Sequence, residues 1–265
     1  MPDISTVKIA FIGFGNMASA MADGWIRSGK IRPEQLGAAS RRFDVLKQKT
    51  DARGMTAFAD NRAAAVWADV VIVAVKPYLV RDVTAPIADV LAGKMVLSVA
   101  VNLLFEDYEK LLAPGTHHLS TLPNTPVAVN EGIVVCEARH SLTAEENALA
   151  HELFNLLGLA VDVDAKAMPA AGTVSGCGPA FAAMFIEALA DGAVRHGVPR
   201  QAAYQLASQM LAGTAKLQLA TGSHPGAMKD AVCSPGGTTI VGVAALERRG
   251  FRSAVMDSID AIVNR

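Results

Sequence analysis

Two rhythms of apolar positions divide the chain. Up to about residue 163, short continuous apolar runs alternate with stretches of helical spacing. "VKIAFIG" (7–13), "LGAAS" (36–40), "DVVIVAV" (69–75) and "KMVLSVA" (94–100) read as strands, the last two carrying near-continuous apolar runs as in strands covered on both faces. "HHLSTL", "EGIVVCEA" and "GLAVDVD" add further strands toward a sheet edge. "NMASAMADGWIRSG" follows the first strand with apolar residues near a 3.6 period and ends at Gly29, a C-cap residue. Strand–helix alternation predicts an α/β fold with a parallel, doubly wound sheet.

From residue 164 the strand signals stop. "GPAFAAMFIEALADGAVRHG" predicts a long helix, and "PRQAAYQLASQMLAGTAKLQLATG" a second, with Pro199 near its start and Gly222 past its end. "HPGAMKDAV", "TTIVGVAALERRG" and "RSAVMDSIDAIVNR" predict three more. The expected organisation is therefore a nucleotide-binding domain at 1–163 and an all-helical domain at 164–265. Several of these helices carry little polar surface, so the second domain is expected to bury area against another copy of the chain rather than close on itself as a bundle.

Composition narrows the partners. With 265 residues, 51% of them hydrophobic, the chain can bury a sizeable core. A net charge of -1 gives no reason to expect nucleic acid or an anionic membrane. Three well-separated cysteines form no CxxC pair or disulfide framework, which points to a reducing cytoplasm. The N-terminal residues lack a signal-peptide pattern, and Glu187 and Asp191 interrupt the alanine-rich run that would otherwise suggest a membrane span. The six histidines are scattered and read as structural, and no metal-ligand cluster is expected.

Candidate chemistry lies in side-chain-poor turns. "FIGFGNMA" places Gly13, Phe14, Gly15, Asn16, Met17 and Ala18 between a strand and a helix. Glycines there let backbone approach a pyrophosphate, and the helix start behind them stabilises that anion. The second strand ends in Ser40, Arg41 and Arg42, where a site for NAD would carry an acid to hold the ribose 2′-OH. Two guanidiniums and a hydroxyl suit a 2′-phosphate, so NADPH is favoured over NADH, although arginines after a strand can also be plain solvated surface. Ala74, Val75, Lys76 and Pro77 end the fourth strand, and Ser98 and Ala100 the fifth. Ligands of open α/β sheets sit beyond such strand ends. Asn124, in "TLPNTP", can offer its amide to a ligand or close a local turn.

In the helical part, "SGCGPAF" (175–181) strips side chains from a helix entry, with Pro179 near its first turn. "VCSPGGTTIVG" (232–242) puts Pro, two glycines and two threonines between two helices, leaving N–H groups and hydroxyls with almost no bulk. A carboxylate can bind at such a helix start without Arg or Lys.

Taken in order, "GFGNMA", "AVKP", "LPNTP", "SGCGPAF", "HPGAMKDAVCSPGGTT" and "ALERRGFRSAVMDSIDA" resemble the pyrroline-5-carboxylate reductase family over nearly the whole chain. The resemblance implies a Rossmann domain followed by a helical dimerisation domain that intertwines with its mate, and dimers that assemble further into rings. It implies NADPH-dependent reduction of 1-pyrroline-5-carboxylate, a small cyclic imino acid, to L-proline. It brings Asn61 in among the cofactor contacts. It implies substrate contacts at Val232, Ser234, Gly236, Gly237, Thr238 and Thr239, with the Thr239 hydroxyl, at the ring nitrogen, as the catalytic group. The site would lie between the cofactor domain of one subunit and helices of the dimer. The chain departs from the family's common pattern at Leu122, Cys177 and Phe181, and most consequentially at Asn102, where the family commonly has Gly. Two other functions stay open on the residues alone. One is reduction of a different cyclic imine, such as a six-membered ring; the other is a regulatory protein that binds NADP(H) without turnover.

Overall fold

The computed structural model describes residues 3–265. By contact density the chain divides into a first unit ending at Gly176 and a second from Cys177 to Arg265. The first unit carries β1 (Ile9–Ile12), α1 (Asn16–Arg27), β2 (Leu36–Ala39), α2 (Phe43–Asp51), β3 (Thr56–Phe58), α3 (Asn61–Trp67) and β4 (Val70–Val73). It continues with α4 (Val80–Thr84), α5 (Ala88–Leu91), β5 (Met95–Ser98), α6 (Phe105–Leu111), β6 (His117–Pro123), β7 (Gly132–Glu137), α7 (Ala144–Asn155), β8 (Gly158–Val163) and α8 (Met168–Gly172). The strands form one sheet in the order 3-2-1-4-5-6-7-8. β1 to β6 are parallel to one another, as the continuous apolar runs predict.

The sheet departs from an all-parallel pattern at β7, which runs antiparallel to β6, with β8 parallel to β7 at the edge. The cause is the connection. Only residues 124–131 join β6 to β7, too few for the crossover a parallel neighbour needs, so the chain doubles back. Asn130, at φ 61, supports the turn by donating its amide to Gly24 O at 2.7 Å and Leu156 O at 2.6 Å.

Alternate residues of each parallel strand feed two cores. Ile9 and Phe11 of β1 pack with Trp25 of α1 and Leu153 and Phe154 of α7. Ala10 and Ile12 pack with Val71 and Val73 of β4 and Tyr108 of α6. Each of the larger apolar side chains among them contributes about 2 kcal/mol relative to exposure. The Trp25 indole N–H is satisfied by Leu153 O at 2.8 Å, tying α1 to α7. Gly24 lets α1 lie directly on the 125–129 turn, because a Cβ there would overlap Val127 O.

The division falls later than residue 164, where the strand signals end. α8 packs against β7, and Asn124 Nδ2 donates to Ser175 O at 2.9 Å, so residues up to 176 stay with the sheet. A π-helical turn, Thr173–Cys177, follows α8.

The second unit is helical throughout: α9 (Gly178–Arg195), α10 (Arg200–Thr221), α11 (Pro225–Val232), α12 (Thr238–Arg248) and α13 (Phe251–Val263). Pro179 sits in the first turn of α9, Pro199 caps α10, and Gly222 ends α10 with left-handed φ 62, as the sequence signals place them. Much apolar surface stays uncovered within the unit, including Met184, Leu206, Leu219, Val241 and Met256. By length and composition the stretch Met168–Arg195 is apolar enough to cross a bilayer, even with Glu187 and Asp191 within it.

Candidate active site

β1 delivers the chain to Gly13, and neighbouring strand ends are stitched around it. Gly13 N–H donates to Ala39 O at 2.8 Å, Ala74 N–H to Ile12 O at 2.9 Å, and Val99 N–H to Val73 O at 3.1 Å. The carboxyl ends of β2, β1, β4 and β5 thus form one rim, where an open α/β sheet holds its ligand. Gly13 is required twice over. Its φ is 92°, and a Cβ would stand 2.6 Å from Val75 Cγ1 and 2.7 Å from Ala74 O. Gly15 differs: no atom lies within 4 Å of where its Cβ would be, so its bareness leaves room on the open side of the turn.

Gly15 caps α1 without any side-chain hydrogen bond, so the first N–H groups of the helix remain available to an anion. Asn16 is exposed and Met17 half-buried beside them, while Ala18 is buried and keeps α1 close to the sheet. The Phe14 ring points into the core, edge-on to Phe11 at 5.6 Å, leaving only its backbone for a ligand.

At the end of β2, Ser40 is half-buried and Arg41 and Arg42 are exposed. Neither arginine enters an ion pair among the described residues, whereas Arg53 and Arg62 hold Asp23 and Asp89. Asn61 opens α3, whose start is capped by the Asp60 carboxylate accepting from Ala63 N–H at 2.8 Å. Lys76 is exposed ahead of Pro77, which starts a 3-10 turn.

The turn after β5 is held from inside. Ala100 is buried, and its N–H donates to Ser98 Oγ at 3.2 Å; Ser98 Oγ also meets the Tyr108 hydroxyl, and Thr121 Oγ1 donates to Ser98 O at 2.8 Å. Burial pushes the Tyr108 hydroxyl up to about 12, keeping it a neutral hydrogen-bonding group. Asn102 follows at φ 61, so the backbone here needs the left-handed conformation, and Asn is the non-glycine residue that tolerates it. In the sequence Tyr108 shows no sign of this role beyond being a tyrosine on the apolar face of a short helix.

Asn124 is buried and largely committed. Its Nδ2 donates to Ser175 O at 2.9 Å, and its Oδ1 accepts from Ile133 N–H at 2.8 Å. What remains for a ligand is the second amide N–H. Cys136 is no nucleophile, since burial, with the Asp162 carboxylate beside it, pushes its thiol up to about 12.

In the second unit, the loop after α11 turns at Gly236, φ 69, and enters α12 through Gly237, where a Cβ would overlap Ser234 Oγ. Val232, Ser234, Gly236, Thr238 and Thr239 are exposed. The Gly237 N–H, expected as a carboxylate donor, already donates to Ser234 O at 3.0 Å. The donors this leaves are Gly236 and the first-turn amides of Thr238 and Thr239, since no side chain caps α12. The Thr239 hydroxyl sits in that same first turn. A separate hollow of about 1020 Å³ opens between α10 and α11, lined by Leu211, Leu217, Met228 and Val232 but by no residue of 233–239.

Known proteins match in the same two parts. Residues 8–102 fit the family model described as NADP oxidoreductase, coenzyme F420-dependent, and residues 165–265 fit the one described as pyrroline-5-carboxylate reductase dimerisation. The pyrroline-5-carboxylate reductase of Escherichia coli strain K12 is 40% identical over 95% of this chain and 94% of its own. That of Treponema pallidum is 38% identical over 97% of this chain and 99% of its own. The crystal structure of Plasmodium falciparum pyrroline carboxylate reductase with NADP bound superposes with a TM-score of 0.87 at 28% identity, covering 99% of this chain and 97% of that one. At this identity and coverage, with both halves matched in order, the chain belongs to the pyrroline-5-carboxylate reductase family.

Proposed function

We propose that this protein reduces 1-pyrroline-5-carboxylate to L-proline with NADPH. The observation that carries the reading is the pair of uncapped helix starts, each behind a glycine turn: α1 after Gly13–Gly15 and α12 after Gly236–Gly237. One suits a dinucleotide pyrophosphate and the other a small carboxylate.

The residues fit the cofactor. Backbone from Gly13 to Ala18 offers N–H groups on the side where Gly15 leaves open room, and Ser40, Arg41 and Arg42 supply unpaired donors for a 2′-phosphate. Asn61, Ala74 to Pro77, Ala100 and the free N–H of Asn124 complete the rim. When bound, NADPH supplies hydride to the carbon of a C=N bond.

The rest is orientation and charge. Amides of Gly236, Thr238 and Thr239 hold the substrate carboxylate at the positive end of α12. Ser234 shapes that turn, and Val232 borders the ring. The Thr239 hydroxyl holds the ring nitrogen. As hydride adds to carbon, the C=N π pair moves to nitrogen, which ends as the protonated amine of L-proline after taking a proton from water. A protonated imine is already electrophilic, so the reaction needs no protein nucleophile.

The uncovered apolar helices of the second unit support a homodimer with intertwined helices, from which rings of dimers can be built. Three cysteines without disulfides support a cytoplasmic setting. The test is NADPH absorbance. Its decay on adding 1-pyrroline-5-carboxylate, with L-proline formed in equal amount, is expected; decay only with a six-membered imine, or none with either, overturns the reading.

A further inference from the structure

A cluster the reaction does not use lies at the far edge of the sheet. Cys136 and Asp162 are register partners on the parallel pair β7–β8, so their side chains leave the same face side by side. His151, on α7, reaches the same place. The ligand atoms of the three all lie within 4.8 Å of one another. β7 and β8 are four and five strands from β1, about 19 and 24 Å at ordinary strand spacing, too far to touch anything held at the glycine turn.

The hydrogen bonding of His151 is incomplete as it stands. Nδ1 lies 3.0 Å from Asn147 O, and a carbonyl can only accept, so Nδ1 carries the proton. That leaves the Nε2 lone pair, which faces both carboxylate oxygens of Asp162, at 3.0 and 3.2 Å. Two acceptors in contact need a cation between them: a second proton on the ring or a metal ion. An Nδ1–H held by a backbone carbonyl is the usual arrangement behind a metal-binding Nε2. The Cys136 thiol on the buried side, which donates only a long 3.7 Å contact to Val134 O, adds the third ligand that a metal uses and a proton does not. Ligand–ligand edges of a tetrahedral zinc site are about 3.3–3.7 Å, given bonds of about 2.0–2.3 Å. The His–Asp edge is already near that range, and the sulfur needs to close by about 1 Å at most.

We propose that Cys136, His151 and Asp162 bind one zinc-like divalent cation that pins α7 to the two edge strands, with water in the fourth position. Thiolate and imidazole ligands exclude magnesium and calcium. On binding, the Cys136 S–H bond gives way to a sulfur–metal bond and the proton passes to solvent.

Cobalt(II) chloride, titrated into the full chain after dialysis against a chelator, is the probe. The expected result is one cobalt per chain with a thiolate-to-cobalt charge-transfer band, displaced by zinc. The band is lost in Cys136→Ala, and affinity falls at least about tenfold in His151→Gln and Asp162→Asn, surface changes that keep the core intact. Circular dichroism of each variant checks that it is folded. NADPH-dependent turnover is unchanged by removing the metal, which separates this proposal from the reductase reading. Absence of the band in wild-type protein, or its persistence in Cys136→Ala, overturns the site and leaves a charged His151–Asp162 pair.

Discussion

Replacing Gly13 and Gly15 by alanine, one at a time, separates what the glycine turn needs for folding from what it needs for binding. At Gly13 a Cβ meets Ala74 O at 2.7 Å and Val75 Cγ1 at 2.6 Å, and φ is 92°. The carbonyl belongs to the end of β4 and cannot yield cheaply. Overpacking of this kind costs about 1–3 kcal/mol, and the left-handed backbone adds about 1–2 kcal/mol. A loss of about 2–5 kcal/mol lowers Tm by about 4–20 °C for a chain of this size. At Gly15 the backbone has φ -86 and open space around it, so alanine leaves Tm unchanged or slightly raised. Its methyl group, however, occupies the side from which a pyrophosphate approaches the amides. Losing one charge-assisted hydrogen bond of about 1.5–3 kcal/mol weakens NADPH binding by about tenfold to a hundredfold. Differential scanning calorimetry and fluorescence titration with NADPH read the two effects separately. The reasoning is refuted if Gly15→Ala binds NADPH as tightly as wild type, or if Gly13→Ala melts with it.

Three further outcomes are expected. Thr239→Ala lowers kcat by about tenfold to a thousandfold while NADPH still binds, the range for one positioned donor; unchanged steady-state turnover removes Thr239 from the mechanism. Arg41→Ala combined with Arg42→Ala raises KM for NADPH at least about tenfold and leaves KM for NADH nearly unchanged, and a parallel rise in both contradicts a 2′-phosphate site. Glu137 is buried, and that burial lifts its carboxyl above the ordinary 4.5 against the opposing hydrogen bond from Phe105 N–H at 2.6 Å. Its protonated form therefore favours the fold. That contribution is complete below 4.5 and is lost as pH rises through the lifted value, so urea midpoints of wild type fall relative to Glu137→Gln across that window; parallel curves overturn it.

Most of the architecture was legible because it rests on local signals. β1 and β4 are apolar at every position and β5 at all but Ser98, and α10 is bracketed by Pro199 and Gly222 where the chain says it should be. β3 leaves no mark in the sequence, since three residues are too few to show a period. The antiparallel join at β7 follows from the length of a connection rather than from any residue pattern. In the candidate site, motifs named the loops but not their internal bonding. Asn124 reads in sequence as either a ligand's amide or a turn-closing one, and in space its amide is tied to Ser175 and Ile133. Gly237 reads as a donor, yet its N–H closes a turn on Ser234. Asn102, by contrast, stands where the family commonly has Gly and keeps the left-handed backbone.

The central claim is that the start of α12 holds the substrate carboxylate with Thr239 at the ring nitrogen. A crystal structure with NADP and L-proline both bound tests it most directly. The account predicts the carboxylate within about 2.7–3.2 Å of the Thr238 and Thr239 amides, with the ring nitrogen at the Thr239 hydroxyl and the ring against the nicotinamide. Proline seated elsewhere, or held there by an arginine or lysine instead of backbone, contradicts it.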